Sequence, residues 1–267
     1  MREPMAVRWA LRVATALTLA FIYVPLLVVA VYAFNASNVQ TWPIAGVSLR
    51  WFARAFADGS IRDALLNSLV AATGATLIAL VLGTMAAFAV QRYRFFGREA
   101  VSFLVILPIA LPGVVTGVAL SATFSTLGIP FGLFTIIVGH ATFCVVIAFN
   151  NVIARLRRTS RSLEEASMDL GADTWQTFRW VFLPSMRTAL LSGGLLAFAL
   201  SFDEVIVTNF TAGAGVDTVP LWVLSAIQRP RDLPVVNAVA LVLIVLSIVP
   251  VYLAQRIGSD AASGGRV

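Results

Sequence analysis

Two acidic residues, Asp203 and Glu204, lie in the outer half of a long apolar run. A charge at membrane depth is costly and normally faces a cavity or a partner chain. Carboxylates there would attract a cationic substrate, so we predict that at least one lies on a translocation pathway. Neighbouring helical residues point about 100° apart, so both can hardly face one lumen, and we favour Asp203. The alternative is a structural pair bonded to other helices or to a partner chain.

Other chemistry-bearing residues are sparse. All 19 basic residues are arginine, so no lysine is present for a Walker A loop or for Schiff-base chemistry. His140 and Cys144 lie one helical turn apart, but they are the only histidine and cysteine, too few ligands for a metal site. The sequence therefore predicts no metal site, no cofactor and no enzyme active site. Any ATP and Mg²⁺ would be bound by another chain.

Composition identifies the solvent of these residues as a lipid bilayer. The 267 residues are 59% hydrophobic and 12% charged, whereas soluble proteins are about 45–50% apolar and about 25% charged. A helix needs about 20 apolar residues to span a membrane. We predict an all-α polytopic membrane protein, a single transmembrane domain over 1–267 with six transmembrane helices. Their approximate ranges are 13–34, 64–90, 101–127, 133–153, 188–208 and 235–255.

Arginine placement predicts the orientation of the spans. The N-terminus, the 91–100 and 154–187 loops and the C-terminus hold 14 of the 19 arginines. By the positive-inside rule these segments are cytoplasmic, so both termini are predicted inside, which six spans allow. The first apolar run is too long for a signal peptide and is predicted to be retained. The net charge of +6 fits membrane orientation and does not indicate nucleic acid.

Several local signals interrupt the spans or follow them. Pro108, Pro112 and Gly113 break the third run, as a bend in a gate or as a kink without function. In the outer loop 35–63, an apolar face of Leu49, Phe52 and Phe56 predicts a helix lying on the outer surface. In the other outer loop, 209–234, a short helix over 221–228 is predicted after Pro220.

The inner loop 154–187 has a pattern of its own. Ser162 and Glu165 predict a capping box that starts a first short helix, which Gly171 ends in a left-handed turn. Asp173 is predicted to cap a second helix that Pro184 ends. Trp175 and Phe178 would form an aromatic face for a soluble partner, although both could instead pack on the loop itself.

This loop resembles the EAA loop of binding-protein-dependent ABC importer permeases. The likeness rests on Glu165-Ala166-Ser167, three residues, Gly171, nine residues, then Val181-Phe182-Leu183-Pro184, before the last two spans. Ser167 replaces the second alanine of the family pattern. The resemblance implies that segment 160–184 carries a coupling helix, from about Ala172 to Phe178, that fits a groove on an ATPase. The implied ATPase-coupling residues are Glu165, Ala166, Gly171, Ala172, Asp173, Trp175 and Phe178.

Further motifs are similar to spermidine/putrescine-type permeases, and more narrowly to their second permease subunit. They are Phe95-Phe96-Gly97, Leu107–Gly113, Phe149–Arg155 and Ser201–Thr208. The resemblance implies a bacterial inner-membrane subunit that moves polyamines by alternating access. It pairs with a second permease, an ATPase dimer and an extracytoplasmic substrate-binding protein, in contact with membrane lipid. Pro112, Asp203, Glu204 and Thr208 are the implied pathway residues.

Other functions remain open on the sequence. Close relatives of this type are similar to carriers of other small amines, amino-acid-like solutes and ions. A secondary transporter working alone would need its own coupling-ion site and often internal repeats, and we find no clear repeat between the halves. A membrane enzyme would need clustered catalytic groups that this chain does not offer.

Overall fold

The computed structural model describes residues 5–229 and 232–247. Within these ranges the chain is helical and has no β-strand, only an isolated bridge between Asn35 and Val47. The predicted all-α fold is therefore confirmed. The helices in chain order are α1 Met5–Ala33, α2 Arg50–Ala57, α3 Gly59–Arg92, α4 Arg98–Ala110, α5 Gly113–Thr126, α6 Leu133–Arg158, α7 Ser162–Asp169, α8 Thr174–Thr177, a π-helical turn Phe178–Phe182, α9 Leu183–Phe202, α10 Ile206–Thr211, α11 Val219–Ile227 and α12 Leu233–Ser247.

Four helical segments within the described residues are long and apolar enough to cross a membrane. They are Met5–Ala33, Gly59–Arg92, Leu133–Arg158 and Thr174–Phe202, and the bent pair α4–α5 would make a fifth. The predicted sixth span, 235–255, begins within α12 and extends to residues outside the described ranges. The count of six and the inside location of both termini therefore remain predictions.

The predicted third span is broken between α4 and α5. The two helices are bent by 106°. Leu111 has an extended backbone (φ −84°, ψ 142°), the conformation favoured before a proline. Pro112 has no backbone N–H, and α5 starts directly after it. The interruption is confirmed at Pro112 and Gly113, as a change of chain direction rather than a kink. Pro108 was also predicted to break the run but lies inside α4, so that part is wrong.

Small residues shape the core of the unit formed by residues 62–222. The buried face of α3 carries Ala71, Ala75 and Ala79, all almost fully buried. A Cβ added at Gly83 would lie 2.8 Å from the Cβ of Ala148 on α6. Such small residues let helices approach closely where lipid offers no hydrophobic driving force between them.

Residues 5–61 and 223–247 belong to a second unit. Its outer-loop helix is confirmed as α2, and the Arg50 N–H donates to Ser48 Oγ over 3.2 Å. The residue that anchors this helix is Trp51, whose indole donates to the carbonyl of Asn35 over 2.7 Å. Leu49 is exposed. The helix predicted after Pro220 is also confirmed, as α11.

The first helix of the inner loop is confirmed, but its predicted capping box is wrong. Arg161, the residue before α7, is already helical (φ −66°, ψ −25°), so Ser162 lies inside the helix. Its side chain therefore does not cap α7. The Ser162 N–H instead donates to Ser160 Oγ over 3.2 Å, and the side chain of Glu165 is exposed.

The second inner-loop helix does not end at Pro184, as the sequence predicted. It starts at Thr174, widens into the π-helical turn and continues through α9, so Thr174–Phe202 is one segment of 29 residues. Pro184 lies in the first turn of α9, where a missing N–H is tolerated. The coupling helix implied from about Ala172 to Phe178 is therefore not a separate helix, since from Thr174 it belongs to this longer segment. That span, predicted over 188–208, ends at Phe202.

Candidate functional site

The turn after α7 has the geometry that the sequence predicted. Gly171 has φ +86°. Its N–H donates to the carbonyl of Met168 over 2.9 Å, and the Ala172 N–H donates to that of Ser167 over 3.1 Å. These two bonds define a Schellman motif. No described atom lies within 4 Å of a Cβ placed on Gly171. The glycine is therefore required by the backbone conformation and not by crowding.

Asp173 starts the next helix with a complete capping box. Its Oδ1 accepts from the N–H of Gln176 over 2.7 Å, and its own N–H donates to Gln176 Oε1 over 2.9 Å. The hydroxyls of Ser167 and Thr177 lie 3.1 Å apart and tie α7 to α8. The predicted cap is confirmed. The Asp173 carboxylate therefore makes its hydrogen bond within this chain.

An apolar surface on the loop is exposed. Trp175 is 64% exposed and Leu170 is 89% exposed. The Trp175 ring stacks on Phe178 with centroids 5.8 Å apart. Phe178 is half-buried, with its ring 5.7 Å from that of Phe88 on α3. The two predicted aromatic side chains therefore contact each other but differ in exposure. Trp175 faces outward, and Phe178 anchors it. Leu170, which follows α7, was not among the predicted ATPase-coupling residues.

Arg92 links the loop to the inner end of α3. Its side chain is 7% exposed, and its Nε lies 3.6 Å from Glu164 Oε2 on α7. The Arg161 guanidinium donates to the carbonyl of Arg92 over 3.1 Å. A groove of about 780 Å³ opens beside this link, with Trp175 and Phe178 in its wall. Sequence analysis used Arg92 only as a topology charge, since nothing local marks its partner on α7.

A second candidate site lies where the fifth span breaks. Glu204 Oε1 accepts from the N–H groups of Ile206 and Val207, over 2.7 and 2.9 Å, and so caps α10. Asp203 follows the last residue of α9, and its side chain is exposed. It receives no side-chain hydrogen bond from the described part of the chain. The two carboxylates thus have different environments, because α9 ends at Phe202 and only the Glu204 side chain caps α10.

The other predicted pathway residues separate as well. Thr208 is fully buried, and its hydroxyl donates to the carbonyl of Glu204 over 2.7 Å. Its side chain therefore does not line an open surface of this chain, and its role in the pathway stays a prediction. Pro112 is exposed at the start of α5. A Cβ on Gly113 would lie 3.5 Å from Ile206 Cγ2, so the break before α5 lies beside the break before α10.

His140 and Cys144 both bond to the fifth span. His140 is buried, with Nδ1 2.8 Å from Ser201 Oγ on α9 and Nε2 2.8 Å from Thr208 Oγ1 on α10. Cys144 Sγ donates to the carbonyl of Ala197 over 3.3 Å. Sequence analysis tested this pair only as metal ligands. An ionisable residue at membrane depth was the signal for a polar role of His140.

Comparisons with known proteins identify the family of this chain. A family model described as the binding-protein-dependent transport system inner membrane component matches residues 79–261. The chain is 38% identical over 228 residues to the putrescine transport system permease protein PotI of Escherichia coli (strain K12), covering 82% of this chain and 80% of PotI. It is 33% identical over 239 residues to the spermidine/putrescine transport system permease protein PotC of Haemophilus influenzae, covering 89% of this chain and 92% of PotC.

Solved structures share the fold. A chain of a bacterial ABC transporter involved in the import of the acidic polysaccharide alginate matches with a TM-score of 0.76 and 17% identity, covering 96% of this chain and 99% of that one. A chain of the alginate transporter in complex with a periplasmic protein bound to an alginate pentasaccharide matches with a TM-score of 0.69 and 17% identity, covering 94% of both. At this identity the likeness establishes the fold and not the substrate. Together with the matched sequence, it shows that this chain is a permease subunit of an ABC importer and belongs to the family of binding-protein-dependent transport system inner membrane components.

Proposed function

We propose that this permease subunit imports polyamines such as spermidine and putrescine across the inner membrane. PotI and PotC, whose names state polyamine transport, are similar to it over most of the chain. The observation that carries the proposal is the exposed carboxylate of Asp203 at the end of α9. A polyamine carries several ammonium groups, and this carboxylate offers them a negative charge beside a broken span.

The break strengthens the negative potential at Asp203. The last carbonyl groups of a helix lack intrahelical partners, and its C-terminus carries roughly half a negative charge. Asp203 adds a full charge at that end of α9. Glu204 instead caps the positive end of α10, which partly balances its charge. Half-helix C-termini and unwound carbonyls coordinate cations in other transporters with broken helices.

ATP would act on this site through the inner loop. The sequence has no lysine for a nucleotide-binding loop, so we assign ATP and Mg²⁺ to a separate ATPase that docks on α7 and the exposed Trp175. From Thr174 to Phe202 the chain is helical over 29 residues, a stiff path of about 43 Å at the rise of an α-helix. A displacement of the docking surface would therefore reach the residue beside Asp203.

Other subunits and lipid would complete the transporter. We assign a second permease, in a heterodimer, and an extracytoplasmic substrate-binding protein as partners, with both termini in the cytoplasm. The most apolar 18-residue window of α1 has no buried residue, and such a surface needs lipid or another membrane protein around it.

Uptake by the whole complex tests the proposal. The permease, its partner permease, the ATPase and the binding protein are reconstituted in proteoliposomes with ATP on the ATPase side. Labelled spermidine, putrescine, a neutral amino acid and an acidic oligosaccharide are compared, with and without binding protein. We expect uptake of the two polyamines, dependent on ATP and on the binding protein. Equal or preferred uptake of the amino acid or the oligosaccharide would contradict the polyamine assignment.

A further inference from the structure

His140 bridges the break in the fifth span from a neighbouring helix. It lies on α6, and its side chain is buried between α9 and α10. Its ring bonds to Ser201, in the last turn of α9, and to Thr208, in α10, each over 2.8 Å. Asp203 lies between these two contacts in the chain. The imidazole is therefore placed to fix the relation of the two half-helices on either side of the exposed carboxylate.

The hydrogen-bond network determines one arrangement of protons for a neutral ring. The Thr208 hydroxyl donates its only proton to the carbonyl of Glu204 over 2.7 Å. His140 Nε2 must therefore carry a proton and donate it to Thr208 Oγ1. Nδ1 is then the acceptor, and the Ser201 hydroxyl donates to it. Every polar group in this buried hydrogen-bond network has a partner, which is the condition under which such networks rigidify a structure.

Close packing holds α10 against α6 beside the imidazole. A Cβ placed on Gly139 would lie 3.1 Å from Val207 Cγ1, so a larger residue would push α10 away from α6. On the α5 side, a Cβ on Gly117 would lie 2.6 Å from the Phe210 ring. α10 is thus held by α5 and α6, while α9 continues to the inner loop.

We propose that His140 is a positioning residue that transmits the movement of α9 to α10 and so sets the position of Asp203. The proposal rests on the proposed function, in which Asp203 faces the substrate and the inner loop receives the ATPase. His140 itself is buried and does not touch the substrate. Its two hydrogen bonds make a displacement of Ser201 move the imidazole, and through it Thr208. Without them, α9 and α10 would be joined only by residues 203–205 and by their separate packing on α6.

The test compares the complete complex carrying His140→Leu or His140→Gln with a matched control, Cys144→Ala. Cys144 lies one turn along the same helix, is equally buried, and its thiol donates to a carbonyl of α9. We expect His140→Leu to assemble and hydrolyse ATP, but to transport about 3- to 30-fold less solute per ATP, the range seen for residues that couple distant sites. The side-chain amide of glutamine supplies an N–H donor near the position of Nε2, so His140→Gln should recover part of the solute transported per ATP. Cys144→Ala should keep the wild-type ratio. An unchanged ratio in His140→Leu, or an equal loss in Cys144→Ala, would overturn the proposal.

A spectroscopic measurement keeps the inference testable if His140→Leu does not assemble. The complex is labelled with ¹⁵N-histidine and purified without a histidine tag, and signals absent from His140→Gln are assigned to His140, the only histidine of this chain. We expect a proton on Nε2 and none on Nδ1 in the wild type, and a changed pattern in Thr208→Val. Combining His140→Gln with Thr208→Val should lower transport per ATP by less than the sum of the two single effects, since both substitutions break one network. An Nδ1–H ring, or full additivity, would contradict the assigned network.

The experiments distinguish this inference from the proposed function. Asp203 variants test the substrate and should change the KM for polyamines. His140 variants test energy coupling and should change solute moved per ATP, whatever the solute. If Asp203→Asn transports polyamines normally while His140→Leu uncouples, the polyamine site is wrong and the link between the half-helices stands.

Discussion

Replacing Asp203 by asparagine isolates the charge that the proposed polyamine pathway needs. The side chain keeps its size and loses only its negative charge. The carboxylate is exposed and accepts no side-chain hydrogen bond from the described residues, so the change leaves no internal partner unpaired. We therefore expect the complex to assemble at the wild-type level. Its thermal stability should be equal to or slightly above that of the wild type, since the lost charge lies at the negative end of α9.

The magnitude of the effect follows from the exposure of Asp203. An ammonium group 4 Å from a carboxylate gains about 1 kcal/mol in bulk water and about 4 kcal/mol at an effective dielectric constant of 20. Since Asp203 is exposed in the single chain, we expect the lower part of this range, about 1–2 kcal/mol. That corresponds to a KM for spermidine raised about 5- to 30-fold. Asp203→Glu, which retains the charge, should recover most of the affinity.

Glu204→Gln is the matched control for this prediction. Its amide oxygen can still accept from Ile206 and Val207, so α10 keeps its cap and loses only a favourable charge, about 0.3–1 kcal/mol. Initial uptake rates over a spermidine concentration series, with ATP hydrolysis measured in parallel, give both KM values. The reasoning is refuted if Asp203→Asn keeps the wild-type KM, or if Glu204→Gln raises it more than Asp203→Asn does.

Three further predictions concern the inner loop. Gly171→Val should cost about 1–2 kcal/mol, because a β-branched residue is forced into a left-handed turn; transport per ATP should fall, while Gly171→Asn retains more, and wild-type coupling in the valine variant would show that the turn tolerates side chains. Trp175→Ala should weaken ATPase binding by about 2 kcal/mol if the exposed ring is a hot spot of the interface, as measured by co-purification and titration. Phe178→Ala should mainly lower the melting temperature. Unchanged assembly in Trp175→Ala would contradict these different roles. Glu164→Gln should destabilise the chain more than Arg92→Met does, since it leaves a buried guanidinium without its carboxylate. The loss of stability should stay below that of breaking a fully buried pair, about 3–5 kcal/mol, because Glu164 is partly exposed. Thermal unfolding of both variants checks the order, and the reverse order would refute it.

Features that depend on neighbours in the chain were predictable from the sequence. The apolar runs give the long helices, because a membrane span needs only length and apolarity. The turn at Gly171 and the cap at Asp173 were predicted because both are closed by residues within five positions. The break at Pro112 follows from the missing N–H of proline. In each case the physical cause lies within one or two turns of helix.

Features that depend on distant partners were decided only by the tertiary structure. His140 bonds to residues 61 and 68 positions away, and Arg92 pairs with Glu164 across the loop. The sequence placed Asp203 and Glu204 on one helix, yet α9 ends before both of them. Glu204 caps α10, whereas the Asp203 side chain is exposed. Pro184 ends no helix, because the π-helical turn before it places proline in a first turn, where its N–H is not needed. Local patterns determine which helices form and where some of them end, whereas packing determines the other helix ends and which buried polar groups meet.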